Sequence, residues 1–164
     1  MTINPPLNQI PSEYNFRNAT NKDQKAVQTL IFSVLKEYGL SPEPNKTDKD
    51  LSDLELNYKN GYFGIIQHGT KTVATFALYP LSKYQVEIRK MYADKSVRNK
   101  GLGKWMVNYL LQIAEENGYS EVELETASCL KEALYLYEKM GFLEKKFENK
   151  TPRCDKAFYL KLNN

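Results

Sequence analysis

Between Gly61 and Tyr92 the chain is built of β-branched and aromatic residues in three stretches, punctuated by turn signals at His68-Gly69 and over residues 80–83. A segment so often interrupted cannot be one helix, and it predicts three strands in an antiparallel meander. Helical periodicity brackets it on both sides. Upstream, Val27, Leu30, Ile31, Val34, Leu35 and Tyr38 recur at helical spacing behind Thr20 and Asp23, which have the form of a capping box, and Gly39 closes the run. Downstream, Leu102, Met106, Tyr109, Leu110 and Ile113 mark a helix ending at Asn117-Gly118, and Leu130, Ala133, Leu134 and Tyr137 mark another stopped by Gly141.

The remaining elements follow from the same signals. Residues 14–19 read as a strand, residues 40–49 as a loop carrying Pro42 and Pro44, and residues 51–58 as a short helix. Val122 and Leu124 alternate with glutamates in a strand, and residues 142–147 and 157–162 supply two closing strands around a proline-containing turn. The order βααβββαβαββ predicts an α+β fold with a mixed sheet. At 164 residues the chain has the size of one ordinary domain. Residues 1–12 are expected to be an N-terminal tail, because proline and asparagine break any period there, and residues 13–164 a single domain.

Composition excludes several classes of function. Apolar residues make up 41% and charged residues 26%, a globular balance, and no apolar run approaches the roughly 18 residues of a membrane helix. Residues 1–16 contain no Lys or Arg and no continuous apolar core, unlike a secretory signal, so a cytoplasmic location is expected. Cys129 and Cys154 lack the spacing of a metal or redox motif and are expected to be structural thiols, and with His68 as the single histidine no metal is expected. The net charge of +3 is too small to argue for nucleic acid, and no membrane partner is expected.

The chemistry is concentrated in residues 87–141. Arg98-Asn99-Lys100-Gly101-Leu102-Gly103-Lys104 follows a strand and opens a helix. Glycines at a helix start expose consecutive N–H groups at the positive end of the dipole, and Arg98, Lys100 and Lys104 add charge on the same turn, so a pyrophosphate is the natural guest; the plainer alternative is that Gly101 and Gly103 only start the helix tightly against a neighbour. A Walker A loop would need glycine at 98 and Ser or Thr at 105, where Arg98 and Trp105 stand, and a Rossmann fingerprint would need a small residue in place of Met106.

The Arg-x-x-Gly-x-Gly pattern of residues 98–103 resembles the acetyl-CoA pyrophosphate loop of the GNAT superfamily of N-acetyltransferases. Ala133-Leu134-Tyr135-Leu136-Tyr137-Glu138-Lys139-Met140-Gly141-Phe142 is similar to that family's later helix. The resemblance covers residues 62–147. It implies a mostly antiparallel sheet of about seven strands flanked by four helices, splayed beside Met91 to admit acetyl-CoA as cosubstrate. Met91, Tyr92 and Ala93 would then bond its pantetheine arm, with Asn99, Leu102 and the rest of the loop at the pyrophosphate. Where many members carry an asparagine seven residues before the tyrosine, this chain has Leu130, so that polar contact is not carried over.

Acetyl transfer to a primary amine requires a base for the ammonium, whose pKa is near ~10, and a proton for the departing thiolate. The resemblance puts Tyr137 in the acid role, although its place on an apolar stripe also suits a core tyrosine. Glu87, on the strand lining the cleft, is the candidate base. Glu123 and Glu125 compete with it, and a simple ion pair of Glu87 with Arg89 is the plainer alternative. The turn over residues 151–155 borders the expected acceptor pocket through Arg153 or Asp155, unless it is merely tied down. Tyr38, Tyr62 and Tyr84 are candidate pocket lining. The acceptor is a small-molecule or peptide amine without a signature of its own, and C-terminal edge strands suit a homodimer. A non-catalytic acyl-CoA sensor on the same fold is the alternative; the presence of both Glu87 and Tyr137 favours the enzyme.

Overall fold

The computed structural model describes residues 10–163, so most of the expected tail, residues 1–9, lies outside the described residues. The chain runs through β1 (Tyr14–Asn18), α1 (Gln24–Glu37), α2 (Leu54–Asn57), β2 (Tyr62–His68), β3 (Lys71–Pro80) and β4 (Gln85–Ala93). It continues with α3 (Leu102–Glu116), β5 (Glu121–Thr126), α4 (Lys131–Lys139), β6 (Leu143–Lys145) and β7 (Lys156–Lys161). Among the described residues these strands form one seven-stranded sheet of order β1-β2-β3-β4-β5-β7-β6, antiparallel except between β4 and β5. The α+β fold with a mixed, mostly antiparallel sheet is therefore the one expected.

Local chemistry explains the boundaries. The Thr20 N–H donates to Asp23 Oδ2 at 2.9 Å and the Lys22 N–H to Thr20 Oγ1 at 3.3 Å, so the capping box forms, but it starts a 3-10 turn, Asn21–Asp23, that feeds α1. The helix expected over residues 51–58 is split into a 3-10 turn, Lys49–Ser52, and α2, because Asp53 leaves the helix and caps the Leu56 N–H at 3.0 Å. The strand expected over 142–147 shortens to β6, which pairs with β7 over three residues at the sheet edge.

Alternation along the strands divides the core into two layers. Phe76, Leu78, Val86, Ile88, Val122, Leu124 and Phe158 pack with Leu102, Met106 and Leu110 of α3 and with Tyr137 of α4. On the other face Phe63, Ile65 and Ala77 pack with Val27, Ile31 and Leu35 of α1 and Leu54 of α2. Burying each large side chain stabilises by about 1.5–3 kcal/mol. Because Val86 and Ile88 are buried in the first layer, Glu87 and Arg89 point to the opposite face. Among the described residues no helix is long and apolar enough to cross a membrane.

Candidate functional site

The segment between β4 and α3 is shaped by short-range bonds. The Asp94 N–H donates to Val73 O at 2.8 Å, Asp94 Oδ1 accepts from the Ser96 N–H at 2.9 Å, and Val97 is buried in the core. Asn99 and Gly101 then adopt left-handed conformations, with φ of 61° and 81°, a state open to glycine and tolerated by asparagine. The α3 helix begins with neither a capping side chain nor an acid in its first turn, and its first backbone bond runs from the Trp105 N–H to Gly101 O at 3.1 Å. The N–H groups of Leu102, Gly103 and Lys104 are left without helical partners. They border a cavity of about 960 Å³ lined also by Met91, Tyr92, Ala93 and Leu136. A Cβ on Gly103 would lie 3.0 Å from Leu136 Cδ2, so glycine there lets α4 approach α3.

The three cations of this turn do not act alike. Lys100 and Lys104 are exposed, whereas Arg98 donates from Nη1 and Nη2 to the Glu37 carboxylate at 2.5 and 3.1 Å and from Nε to Ala93 O at 3.1 Å. Arg98 thus braces the loop against the end of α1, and its charge is largely balanced there. Beside it, the Tyr38 hydroxyl donates to Glu132 Oε2 at 2.6 Å, linking the end of α1 to the start of α4.

The sheet opens between β4 and β5. Their parallel pairing ends at Ile88 and Leu124, and Lys90, at φ 51°, forms an irregularity in β4 whose carbonyl accepts from Thr75 Oγ1 at 2.6 Å. The Lys90 ammonium is buried and donates to Thr47 O at 2.8 Å and to Asp48 Oδ1 at 2.7 Å, with Asp50 Oδ1 at 3.3 Å. Asp48, whose side chain is 0% exposed, also accepts from Arg153 Nη1 and Nη2 at 2.7 and 2.9 Å and from the Glu43 N–H at 2.8 Å. Burial alone would raise this carboxyl, but the Arg153 hydrogen bonds and the Lys90 charge outweigh it and hold it far below the usual carboxylate range. Asp48 therefore fastens the loop after α1 to the open edge of β4 and to the turn before β7.

A second cavity, of about 350 Å³, lies beside the opening, lined by Glu87, Arg89, Glu125, Tyr137, Cys154 and the loop residues Lys46 and Thr47, among others. It shares Met91, Tyr92, Leu130 and Ala133 with the larger cavity, so the two meet at the gap in the sheet. Glu87 Oε2 accepts from Arg89 Nε at 2.8 Å. Burial raises its carboxyl, Arg89 opposes the shift, and Glu125 and Glu123 add to it. The Tyr137 hydroxyl is raised by burial and then by neighbouring Tyr92, so it stays protonated at neutral pH. Burial likewise pushes the Cys154 thiol up to about 11, which suits a structural rather than a nucleophilic thiol.

The remaining candidates separate by position. Glu125 faces the smaller cavity, while Glu123 is paired with Lys145 at 3.0 Å and accepts from Gln85 at 3.2 Å, outside the lining. Arg153 borders the cavity but is spent on Asp48, and Asp155 accepts from the Ser128 N–H and Oγ, both at 2.6 Å, so the turn is tied down. Tyr38 lines the larger cavity. Tyr62 packs instead against Phe76 and Tyr109 in the first core layer, and Tyr84 is exposed, so neither lines either of these two cavities. Asp48 and Lys90 belong to no motif that spacing along the chain reveals. The available signal was Lys90 itself, a lysine continuing the buried alternation of Val86 and Ile88.

A family model described as the acetyltransferase (GNAT) family matches residues 29–142. The chain is similar to YjgM of Escherichia coli K12, an uncharacterized N-acetyltransferase, at 32% identity over 142 residues, covering 82% of this chain and 85% of the relative. In fold it is similar to a GNAT-family acetyltransferase of Staphylococcus aureus Mu50, with a TM-score of 0.84 at 23% identity, covering 92% of this chain and 99% of the other. A PaiA N-acetyltransferase of Thermoplasma acidophilum, solved in complex with coenzyme A, shares the fold with a TM-score of 0.72 at 16% identity, covering 91% and 99%. With the matched region spanning most of its length, the chain belongs to the GNAT family of acetyltransferases.

Proposed function

We propose that this protein transfers the acetyl group of acetyl-CoA directly to a primary amine. The observation that carries the reading is the meeting of two cavities at the gap between β4 and β5, one bordered by the uncapped start of α3 and the other by Glu87 and Tyr137. The larger cavity suits coenzyme A in chemistry as well as size. The N–H groups of Leu102, Gly103 and Lys104, with exposed Lys100 and Lys104, offer a cradle for a pyrophosphate. The unpaired edge of β4 around Met91 and Tyr92 offers backbone groups to an amide-bearing arm. Leu130 presents an apolar wall where the cavities join. The coenzyme supplies an activated thioester; the chain's own residues position the amine and move protons.

In this reading Glu87 takes a proton from the acceptor's ammonium, directly or through water, and Tyr137 protonates the departing thiolate. The raised state of Tyr137 keeps the phenol protonated at working pH, as a donor must be. The raised state of Glu87 brings a carboxylate closer to neutrality and makes it a stronger base than a solvated glutamate. Calorimetry with acetyl-CoA, followed by an amine panel monitored through released thiol, tests the reading; absence of acetyl-CoA binding defeats it.

Two further outcomes are expected. Gly101→Val places a β-branched residue at φ 81°, which costs about 1–2 kcal/mol, and rearranges the helix start; acetyl-CoA affinity should fall roughly tenfold. An unchanged dissociation constant removes the loop from the cofactor site. Glu87→Gln should reduce the rate about tenfold near neutral pH and less above pH ~9, where more of the amine is already free. Because the Glu87 carboxyl is raised, the wild-type rate falls as acidification protonates it, and the variant should lack that limb of the profile. An identical profile passes the base role to Glu125 or water.

A further inference from the structure

Lys90 and Arg153, the two buried cations at the smaller cavity, are fully engaged with Asp48 and the backbone of its loop. Arg89 is not. Its Nε is held by Glu87 at 2.8 Å and its guanidinium carbon sits 3.9 Å from the ring centroid of Tyr79, which lies opposite Glu87 on β3. These contacts fix the plane of the group from one edge and one face. Its Nη1 and Nη2 donate to no acceptor among the described residues, while the side chain, 31% exposed, lines the cavity. A guanidinium held this way presents a rigid pair of N–H donors whose natural complement is a planar, bidentate anion.

We infer that Arg89 reads a carboxylate on the acceptor, so that the substrate is a free amino acid rather than a polyamine, an aminoglycoside or a peptide N-terminus. The inference rests on the smaller cavity being the acceptor site, as proposed above. The neighbourhood selects a singly charged anion, because Glu87 already occupies Nε and Glu125 lines the same cavity, so a phosphate dianion meets like charge. Placement selects a short spacing between the acceptor's two charged groups. Glu87 and Arg89 stand two residues apart on one strand face, about 6–7 Å along the chain, and their side chains converge to hydrogen-bonding distance. An ammonium drawn to Glu87 and a carboxylate bound to Arg89 then belong to one small molecule. A polyamine leaves the Arg89 donors unmatched, and a peptide N-terminus has no carboxylate within reach.

The test compares amino acids with their carboxamides, which keep shape and amine but lose the negative charge. Wild-type protein and the variants Arg89→Gln and Arg89→Lys are assayed with acetyl-CoA through released thiol. Separately, N-acetyl amino acids and N-acetyl amino acid amides are titrated into the CoA-loaded protein by calorimetry. Amino acids should exceed their amides at least about tenfold in kcat/KM, mainly through KM, and the acid-to-amide ratio should collapse toward one in both variants. A general structural loss would lower both rates and leave the ratio intact. Equal use of acids and amides, a ratio unmoved by Arg89→Gln, or binding of neither ligand series overturns the assignment. The two readings fail separately: turnover confined to amines without a carboxylate sinks this inference and leaves acetyl transfer standing, whereas carboxylate-selective, Arg89-dependent binding without turnover of any amine does the reverse.

Discussion

Asp48→Ala is expected to destabilise the protein by about 3–5 kcal/mol, because it strands two buried cations that share one carboxylate. The side chains of Lys90 and Arg153 are each only 5% exposed, so water cannot replace the lost partner. For a chain of this size that loss corresponds to a melting point lower by roughly 6–20 °C. The pH dependence supplies a second readout. The Asp48 carboxyl is depressed in the folded state, so its stabilisation is fully present above the unfolded carboxylate value of about 3.9 and fades as pH falls toward the lower folded value. Urea unfolding at pH 7 should show the full gap between wild type and variant, and the gap should narrow as pH falls below about 4. A difference under about 0.5 kcal/mol at pH 7 would show that the cluster is not a structural centre.

Tyr137→Phe removes one oxygen from a buried position and should lower kcat about 100-fold, the lower end of what a positioned acid contributes. Acetyl-CoA affinity should stay nearly constant, since the ring and its packing against Phe142 and Phe158 are retained. Because burial keeps the phenol protonated well above its ordinary range, the deficit should be uniform from pH 6 to 9. A rate equal to wild type across that span assigns protonation of the thiolate to solvent or to Tyr92, the neighbouring hydroxyl.

Elements with strong local signals are readable from the chain. The meander of β2, β3 and β4 is visible because turn residues interrupt β-branched runs, and α1 and α3 because apolar residues keep a helical period between clear stops. The start of α3 is equally plain, since paired glycines beside cations mark the head of a helix, although spacing alone does not separate an anion cradle from the close approach of α4 that Gly103 permits. The surroundings of the smaller cavity are far less legible. Asp48 stands among Lys46, Thr47, Lys49 and Asp50, and nothing in that polar run marks it as the residue that is buried. Its burial is created by Lys90 and Arg153, which lie 42 and 105 positions away, so no local pattern contains it. Arg98 gives the converse case. Its place in the glycine loop suggests a free phosphate contact, but Glu37, at the far end of a different helix, claims the guanidinium. Long-range ion pairs of this kind depend on how elements are packed, which spacing along one segment does not encode.

The fastening of the post-α1 loop by a buried carboxylate also divides labour within the chain. Ser41, Pro42 and the stretch 44–47 are exposed, while the buried attachment is made by the Asp48 side chain and by the Ser41 and Thr47 carbonyls, which accept from Arg153 and Lys90. Side chains at the tip can therefore be exchanged with little cost to folding, provided the anchor stays. In the reading proposed above, with the acceptor in the smaller cavity, changes of acceptor preference should accumulate on that rim during divergence, and a library randomised over residues 44–47 with Asp48 fixed is the economical way to test it.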